Sequence, residues 1–337
     1  MERPVTLTAM RVLLADALDA GAVEALQARG HTVVAKPDLT ADTLPDSVAG
    51  FDALVVRSTK VTAQTISAGD QLGLVVRAGS GINTIDCDAA TAGGVVVANV
   101  PGANAIAVAE LTLGLILALD RHIADQVVAA RAGMWDKKGF GRAGGLMGAS
   151  IGIVGFGAIG QAVAQRAHAF GMSVYVLDRP RRPVGAQALI DRLGIASVGS
   201  LRDLAATVDV LSVHVPSGAS TAGLIDAEVL GALCEGALFI NTSRADVVDS
   251  MALLAALDAG RIRAGLDVFP DEPGAATSSE WSSDLAKHPG VVATHHIGAS
   301  TRQAQLAVSH GVVDVIASHE TGQTLNVVNP AAAGTGR

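Results

Sequence analysis

Ser150-Ile151-Gly152-Ile153-Val154-Gly155-Phe156-Gly157-Ala158-Ile159-Gly160 decides the fold of this chain. An apolar run of strand character leads directly into glycines spaced G-x-G-x-x-G. Ile159, Val163, Ala167 and Phe170 then recur at helical spacing until Gly171 stops the helix. Strand, glycine turn and helix together open a dinucleotide-binding βαβ unit, and each glycine has its own task. Gly155 permits the tight turn, Gly157 lets a pyrophosphate approach the backbone, and Gly160 lets the helix lie close on the strand. The helix N-terminus, with Ala158 and Ile159 in its first turn, offers free N–H groups and partial positive charge to phosphates. The next strand, 174–177, ends in Asp178, eighteen residues after Gly160. An acid there accepts hydrogen bonds from the adenosine ribose and repels a 2′-phosphate, which points to NAD rather than NADP. Arg179, beside it, would hold a 2′-phosphate if the acid turned away.

Outward from this unit, short β-branched runs alternate with helical patterns in both directions, the signature of parallel sheets. Before it, strands are expected over 11–15, 32–35, 53–56, 74–77 and 95–98, then a helix from Pro101-Gly102 to about Asp120. After 150–154 and 174–177, further strands are expected over 210–215, 237–241, 264–268 and 291–294, and a last helix over 303–319. At 337 residues the chain is long enough for two domains, each with a substantial core.

Half of the residues are hydrophobic and only 3% aromatic, which favours an α/β class with nearly continuous apolar strands. A net charge of -8 argues against nucleic acid as a partner, since phosphate-backbone binding needs a clustered basic surface. The two cysteines, Cys87 and Cys234, have neither the number nor the spacing of a disulfide framework or a zinc site. They are read as small core residues in a reducing cytoplasm, and no metal is expected. The start, MERPVTLTAM, lacks an apolar stretch of signal-peptide length. The most hydrophobic run, 105–119, is interrupted by Glu110 and too short to span a bilayer, so it is expected to be a buried helix. Only the terminal AAAGTGR looks disordered.

In an open parallel sheet, ligands bind outside the carboxyl ends of the strands. Three polar residues follow such ends: Arg244 after 237–241, Glu272 in Asp267-Val268-Phe269-Pro270-Asp271-Glu272-Pro273, and His296 after 291–294. Together they fit hydride transfer from a 2-hydroxy acid. An arginine fork can hold the carboxylate while polarising the C2 oxygen. A histidine can take the hydroxyl proton, and a carboxylate on its other nitrogen fixes the tautomer and favours the protonated form. His295 is an alternative base that the spacing alone does not exclude.

The stretches VVRSTKVTAQTI, VVRAGSGINTID, ANAIAVAELTLGLILAL, IGIVGFGAIGQAVAQRAHAFGM, INTSRADVVD, AGLDVFPDEP and THHIGAST resemble the D-isomer-specific 2-hydroxyacid dehydrogenases over nearly the whole chain. The resemblance implies two Rossmann-like domains with parallel sheets. A discontinuous substrate domain would comprise 1–103 and 297–337, and an NAD-binding domain 104–296. It implies that Arg244 binds substrate, Glu272 is the paired glutamate and His296 the acid/base; His295 falls where the family often has proline, which settles the register. NAD contacts are implied at Ser80, Ala158, Ile159, Asp178, Thr242, Ser243, Asp267, Gly298 and Ala299 besides the three glycines. Substrate contacts are implied at Arg57, Arg77, Ser80 and Gly81 besides Arg244. Lys137 and Lys138, after Trp135, would reach a partner subunit's site, and 105–119 would lie in the contact of a homodimer or homotetramer.

Within the family the chain is most similar to the branch that oxidises D-3-phosphoglycerate in serine biosynthesis, where Arg57 and Arg77 would supply charge for the 3-phosphate. Three departures bear on substrate choice: Ala245-Asp246 replaces the usual Gly-Gly, Ser250 replaces a common glutamate, and the loop after Arg57-Ser58 is shorter. They keep open an unphosphorylated 2-oxo acid such as hydroxypyruvate or glyoxylate. A dinucleotide-sensing corepressor is a third reading from another class. The chain ends soon after Leu325-Asn326-Val327-Val328-Asn329, so serine feedback through a C-terminal regulatory domain is not expected.

Overall fold

The computed structural model describes residues 9–273 and 280–330, and the AAAGTGR tail lies outside them. The chain divides into two compact units, Met1–Asn104 with Thr301–Arg337, and Ala105–Ser300.

The first unit runs β1 (Arg11–Leu14), α1 (Ala20–Ala28), β2 (Thr32–Ala35), β3 (Ala53–Val56), α2 (Ala63–Ala68), β4 (Leu74–Arg77), α3 (Cys87–Ala92) and β5 (Val96–Asn99). Its strands form a parallel sheet in the order β2-β1-β3-β4-β5. β3 is buried at all of its positions, as a central parallel strand covered on both faces must be. Asp19, Thr62 and Asp86 cap the three helices by accepting from N–H groups of their first turns.

The second unit runs α4 (Ala105–Asp120), α5 (Ile123–Arg131), β6 (Ser150–Val154), α6 (Ala158–Ala169), β7 (Ser173–Leu177), α7 (Val184–Leu193), β8 (Ala196–Val198) and α8 (Leu201–Thr207). It continues through β9 (Val210–Val213), α9 (Ala227–Ala232), β10 (Ala237–Asn241), α10 (Ser250–Asp258), β11 (Ile262–Leu266), α11 (Asp284–Lys287) and β12 (Val291–Ala293). The parallel sheet has the order β12-β11-β10-β9-β6-β7-β8, so the chain reverses its direction of winding between β6 and β9. Each face has its own core. On one, Leu115 and Ile116 of α4 and Val163 and Ala167 of α6 cover Ile151, Ile153 and Ile240. On the other, Leu204 and Leu253 cover Leu211, Val213 and the fully buried Phe239, whose ring alone contributes about 2 to 3 kcal/mol. No helix among the described residues is long and apolar enough to cross a membrane.

Two expectations need correction, and one strand was not anticipated. The strand expected over 264–268 is Ile262–Leu266, because the Asp267 carbonyl accepts the His296 N–H and the chain leaves the ladder there. β8 carries only Ala196-Ser197-Val198 at the sheet edge, too short and too polar for periodicity to reveal. Of the two cysteines, Cys87 packs against the edge of a core cluster and Cys234 does not. Cys234 is exposed in the turn between α9 and β10, where its Sγ lies 3.6 Å from the Ala206 carbonyl, and Cys87 is half-buried at the start of α3.

The last helix, α12 (Arg302–Glu320), completes the first unit, and its final residue forms a clasp. The Glu320 carboxylate accepts from Arg29 Nη2 at 2.8 Å and lies 2.5 Å from His31 Nε2, while His31 Nδ1 accepts the Met10 N–H at 3.1 Å. That last bond leaves the ring proton on Nε2, facing the acid. Burial alone would raise the Glu320 pKa, but the bonds from Arg29 and His31 outweigh it and the carboxyl lies below its ordinary value. A lowered pKa means that the clasp stabilises the fold fully above the unfolded carboxyl pKa and loses its effect as pH falls through the folded one. Glu320→Ala is therefore expected to cost about 2 kcal/mol in urea denaturation at pH 7. The gap to the parent protein should narrow as pH falls below the ordinary carboxyl value of 4.5.

Candidate active site

All seven strands of the second sheet are parallel, so the residues that follow them share one edge: Gly155 after β6, Asp178 after β7, His214 after β9, Thr242–Arg244 after β10, Asp267 after β11 and Thr294–His296 after β12. That edge includes the β6/β9 reversal, where such sheets open a crevice.

The glycine turn fits a dinucleotide. Gly155 has φ +99°, and a Cβ there would lie 2.4 Å from the His214 carbonyl oxygen. A Cβ on Gly160 would lie 2.0 Å from the Gly155 oxygen, so the turn closes only without side chains. At Gly157, by contrast, a Cβ would meet nothing within 4 Å, and α6 begins there without a side-chain cap. Open space before uncapped N–H groups, including those of Ala158 and Ile159, is what a pyrophosphate needs. His214 supports the turn through its backbone. Its buried ring lies 2.8 Å from Ser212 Oγ through Nε2, and burial lowers its pKa to about 3, so it is neutral at physiological pH.

After β10 the chain is shaped by buried Asn241. Its Oδ1 accepts from Ser243 N at 3.0 Å and Ser243 Oγ at 2.8 Å, and its Nδ2 donates to the Arg244 carbonyl at 2.9 Å. Thr242 is buried with its Oγ1 3.0 Å from Thr112 Oγ1 of α4. Arg244 spends one N–H on the Ser243 carbonyl at 2.6 Å and is half-buried. Asp246, whose charge beside Arg244 was expected to matter, turns its carboxylate to the Ser217 hydroxyl.

His296 and Glu272 meet directly, with Nδ1 2.6 Å from Oε1. Glu272 Oε2 also accepts the Phe269 N–H at 3.4 Å. Burial pushes the Glu272 pKa up, but the bond and charge of His296, the Phe269 N–H and the charge of Arg244 together bring it below its ordinary value. Arg244 therefore acts electrostatically on the same carboxylate that His296 bonds. Among the described residues His296 Nε2 has no hydrogen-bond partner, and the side chain is 45% exposed, so the ring can exchange a proton with a ligand. His295 is exposed and lies 6.4 Å from the Trp281 ring instead.

The backbone at His296 is in the left-handed region, φ +51°, where a side-chain-bearing residue needs outside support. Asp267 provides it. Buried to 1% exposure, its Oδ1 accepts from Thr294 Oγ1 at 2.6 Å and Ile297 N at 2.9 Å, and its Oδ2 from Gly298 N at 2.9 Å. A Cβ on Gly298 would lie 3.0 Å from Asp267 Oδ2, so the approach depends on that glycine. Ala299 follows in the same turn. The family resemblance implied an NAD contact at Asp267; that its carboxylate shapes the histidine turn appears only in three dimensions.

Asp178 is exposed at the end of β7. Arg182, which sequence reading passed over, reaches back from the following loop: its Nη2 donates to the Leu177 carbonyl and its guanidinium lies 5.7 Å from the centre of the Phe156 ring. The remaining expected contacts belong to the first unit. Asp16 gathers the N–H groups of Arg57, Ser58 and Thr59 after β3, at 2.7, 3.1 and 3.1 Å. Arg77 lies across Gly79 with Nη1 3.4 Å from the Ala78 carbonyl, and Ser80 Oγ accepts the Gly102 N–H at 3.3 Å beside Gly81. Among the described residues no group of three or more His, Cys, Asp or Glu side chains could hold a metal ion.

Residues 113–298 match the family model for the NAD binding domain of D-isomer specific 2-hydroxyacid dehydrogenases. The chain belongs to that family. Among characterised relatives of this dehydrogenase family, it is 40% identical to hydroxypyruvate reductase of Thermotoga maritima, covering 91% of this chain and 97% of the relative. It is 36% identical to D-3-phosphoglycerate dehydrogenase of Methanocaldococcus jannaschii over 95% of this chain, which spans only 59% of that relative's length. The solved structure of D-mandelate dehydrogenase from Rhodotorula graminis superposes with a TM-score of 0.81 at 29% identity, covering 95% of this chain and 98% of that one. The 2-hydroxyacid dehydrogenase fold, with its two parallel α/β sheets, and an NAD-binding domain are thus established for the chain.

Proposed function

We propose that the protein oxidises a D-2-hydroxy acid with NAD, and that the acid is D-3-phosphoglycerate, giving 3-phosphohydroxypyruvate for serine biosynthesis. The observation that carries the chemistry is the His296–Glu272 pair within the field of Arg244, on the sheet edge that also bears the glycine turn. Arg244 receives the substrate carboxylate through its remaining N–H groups and polarises the C2 oxygen. His296 Nε2 takes the hydroxyl proton, and Glu272 on Nδ1 offsets the charge that the ring gains. NAD, when bound, accepts the hydride that leaves C2. In the reverse direction His296 returns the proton to the carbonyl oxygen. The Ala105–Ser300 unit would hold NAD through the glycine turn, Asp178 and Thr242.

The Thermotoga relative, matched along almost its whole length, favours a second reading, reduction of hydroxypyruvate or glyoxylate. Comparing kcat/KM for 3-phosphoglycerate, hydroxypyruvate, glyoxylate and 2-oxoglutarate with NAD or NADH separates the two. A preference of tenfold or more, about 1.4 kcal/mol, for an unphosphorylated acid would remove the first reading alone, and turnover of none would remove both.

The same proposal includes a homodimer or homotetramer. α5 buries none of its residues, and Ile123, Val128, Met134 and Trp135, the last 89% exposed, leave an apolar surface that a second copy would cover. Two free cysteines suit a reducing compartment, which supports a cytoplasmic location.

A further inference from the structure

The loop after β7 reads Asp178-Arg179-Pro180-Arg181-Arg182-Pro183, one acid followed by three arginines. In folds of this type the acid accepts the ribose hydroxyls and rejects a 2′-phosphate by charge, whereas an arginine nearby accommodates that phosphate. Here both chemistries occupy one loop. Arg179 and Arg181 are exposed, but Arg182 is built into the site wall. Its Nη2 donates to the carbonyl of Leu177, the residue that delivers Asp178, and its guanidinium lies over Phe156 inside the glycine turn. It therefore bridges the two segments between which a dinucleotide's ribose must lie. Arg182 makes no ion pair with Asp178 among the described residues, so its Nε and Nη1 donors are not spent on the acid. Burial lowers its pKa, Arg179 adds to that effect and Asp178 opposes it, which places all three charges within reach of one another.

We propose that Arg182 makes the adenosine end of the site permissive for a 2′-phosphate, so that the protein binds NADPH as well as NADH. The inference rests on the reading of this edge as the dinucleotide site. A planar guanidinium fork matches phosphate geometry, and with Arg179 and Arg181 it outweighs the single negative charge of Asp178.

Equilibrium titration of nicotinamide fluorescence with NADH and NADPH tests this without turnover. The parent protein is expected to bind NADPH within about tenfold of NADH. Arg182→Ala is expected to weaken NADPH by about tenfold and NADH by less than about threefold, with Arg182→Lys recovering part of the loss. Thermal melts of both variants report on the Leu177 contact separately. The proposal is overturned if the parent binds NADH but takes NADPH more than about a hundredfold more weakly, or if Arg182→Ala weakens both nucleotides alike. Binding of neither nucleotide would overturn the cofactor reading itself, and this one with it.

Discussion

His296→Ala is expected to lower kcat by about a thousandfold, the scale of losing a positioned general base, while His295→Ala changes it by less than about threefold. The contrast follows from geometry. His296 reaches Glu272 through Nδ1 at 2.6 Å and has no partner on Nε2 among the described residues, whereas the His295 ring lies 6.4 Å from that of Trp281. Glu272→Gln should be milder, about tenfold, because the amide keeps the tautomer but not the charge. The Glu272 pKa lies below its ordinary value, so its carboxylate is ionised throughout the neutral range. Single-turnover measurement of NADH formation with the preferred substrate checks all three variants. Equal losses from His295→Ala and His296→Ala would show that the second ring does not act alone.

Asp267→Ala is expected to combine the largest stability loss with a large kinetic one. The side chain is the common acceptor for Thr294, Ile297 and Gly298, and removing it leaves two N–H groups and a hydroxyl without their partner. Each buried group left unpaired costs about 1 to 3 kcal/mol, and the sum is expected at about 3 to 5 kcal/mol in urea denaturation. The same carboxylate holds the turn in which His296 sits at φ +51°. Without it the ring shifts relative to Glu272, and a displacement on the order of 1 Å is enough to lower kcat by about a hundredfold. A variant with unchanged unfolding midpoint and unchanged kcat would show that the turn holds itself.

The elements that were legible in the sequence are those with strong local signals. β6 is continuous and apolar, the glycines behind it have no other arrangement that closes the turn, and α4 is hydrophobic around most of its circumference. Those features follow from backbone sterics and solvent exclusion, which act over a few residues. β8 and α5 escaped because neither carries a periodic apolar face: the first is a three-residue edge strand, and the second buries nothing. Cys234 was misplaced because residue type says how often a thiol is buried, not where a helix-to-strand turn will leave it.

By itself the sequence determined the fold class and the glycine turn, and residue type at strand ends brought Arg244, Glu272 and His296 forward as candidates, with the family resemblance choosing His296 over His295. Only the tertiary structure decided how the trio is supported. Asp267 and His296 are far apart along the chain and meet because β11 and β12 are neighbours in the sheet. Arg182 meets Phe156 because β7 lies beside β6. Such contacts depend on which strands pair and on where a loop returns, and the pairing is set by the packing of both sheet faces at once rather than by any local run of residues.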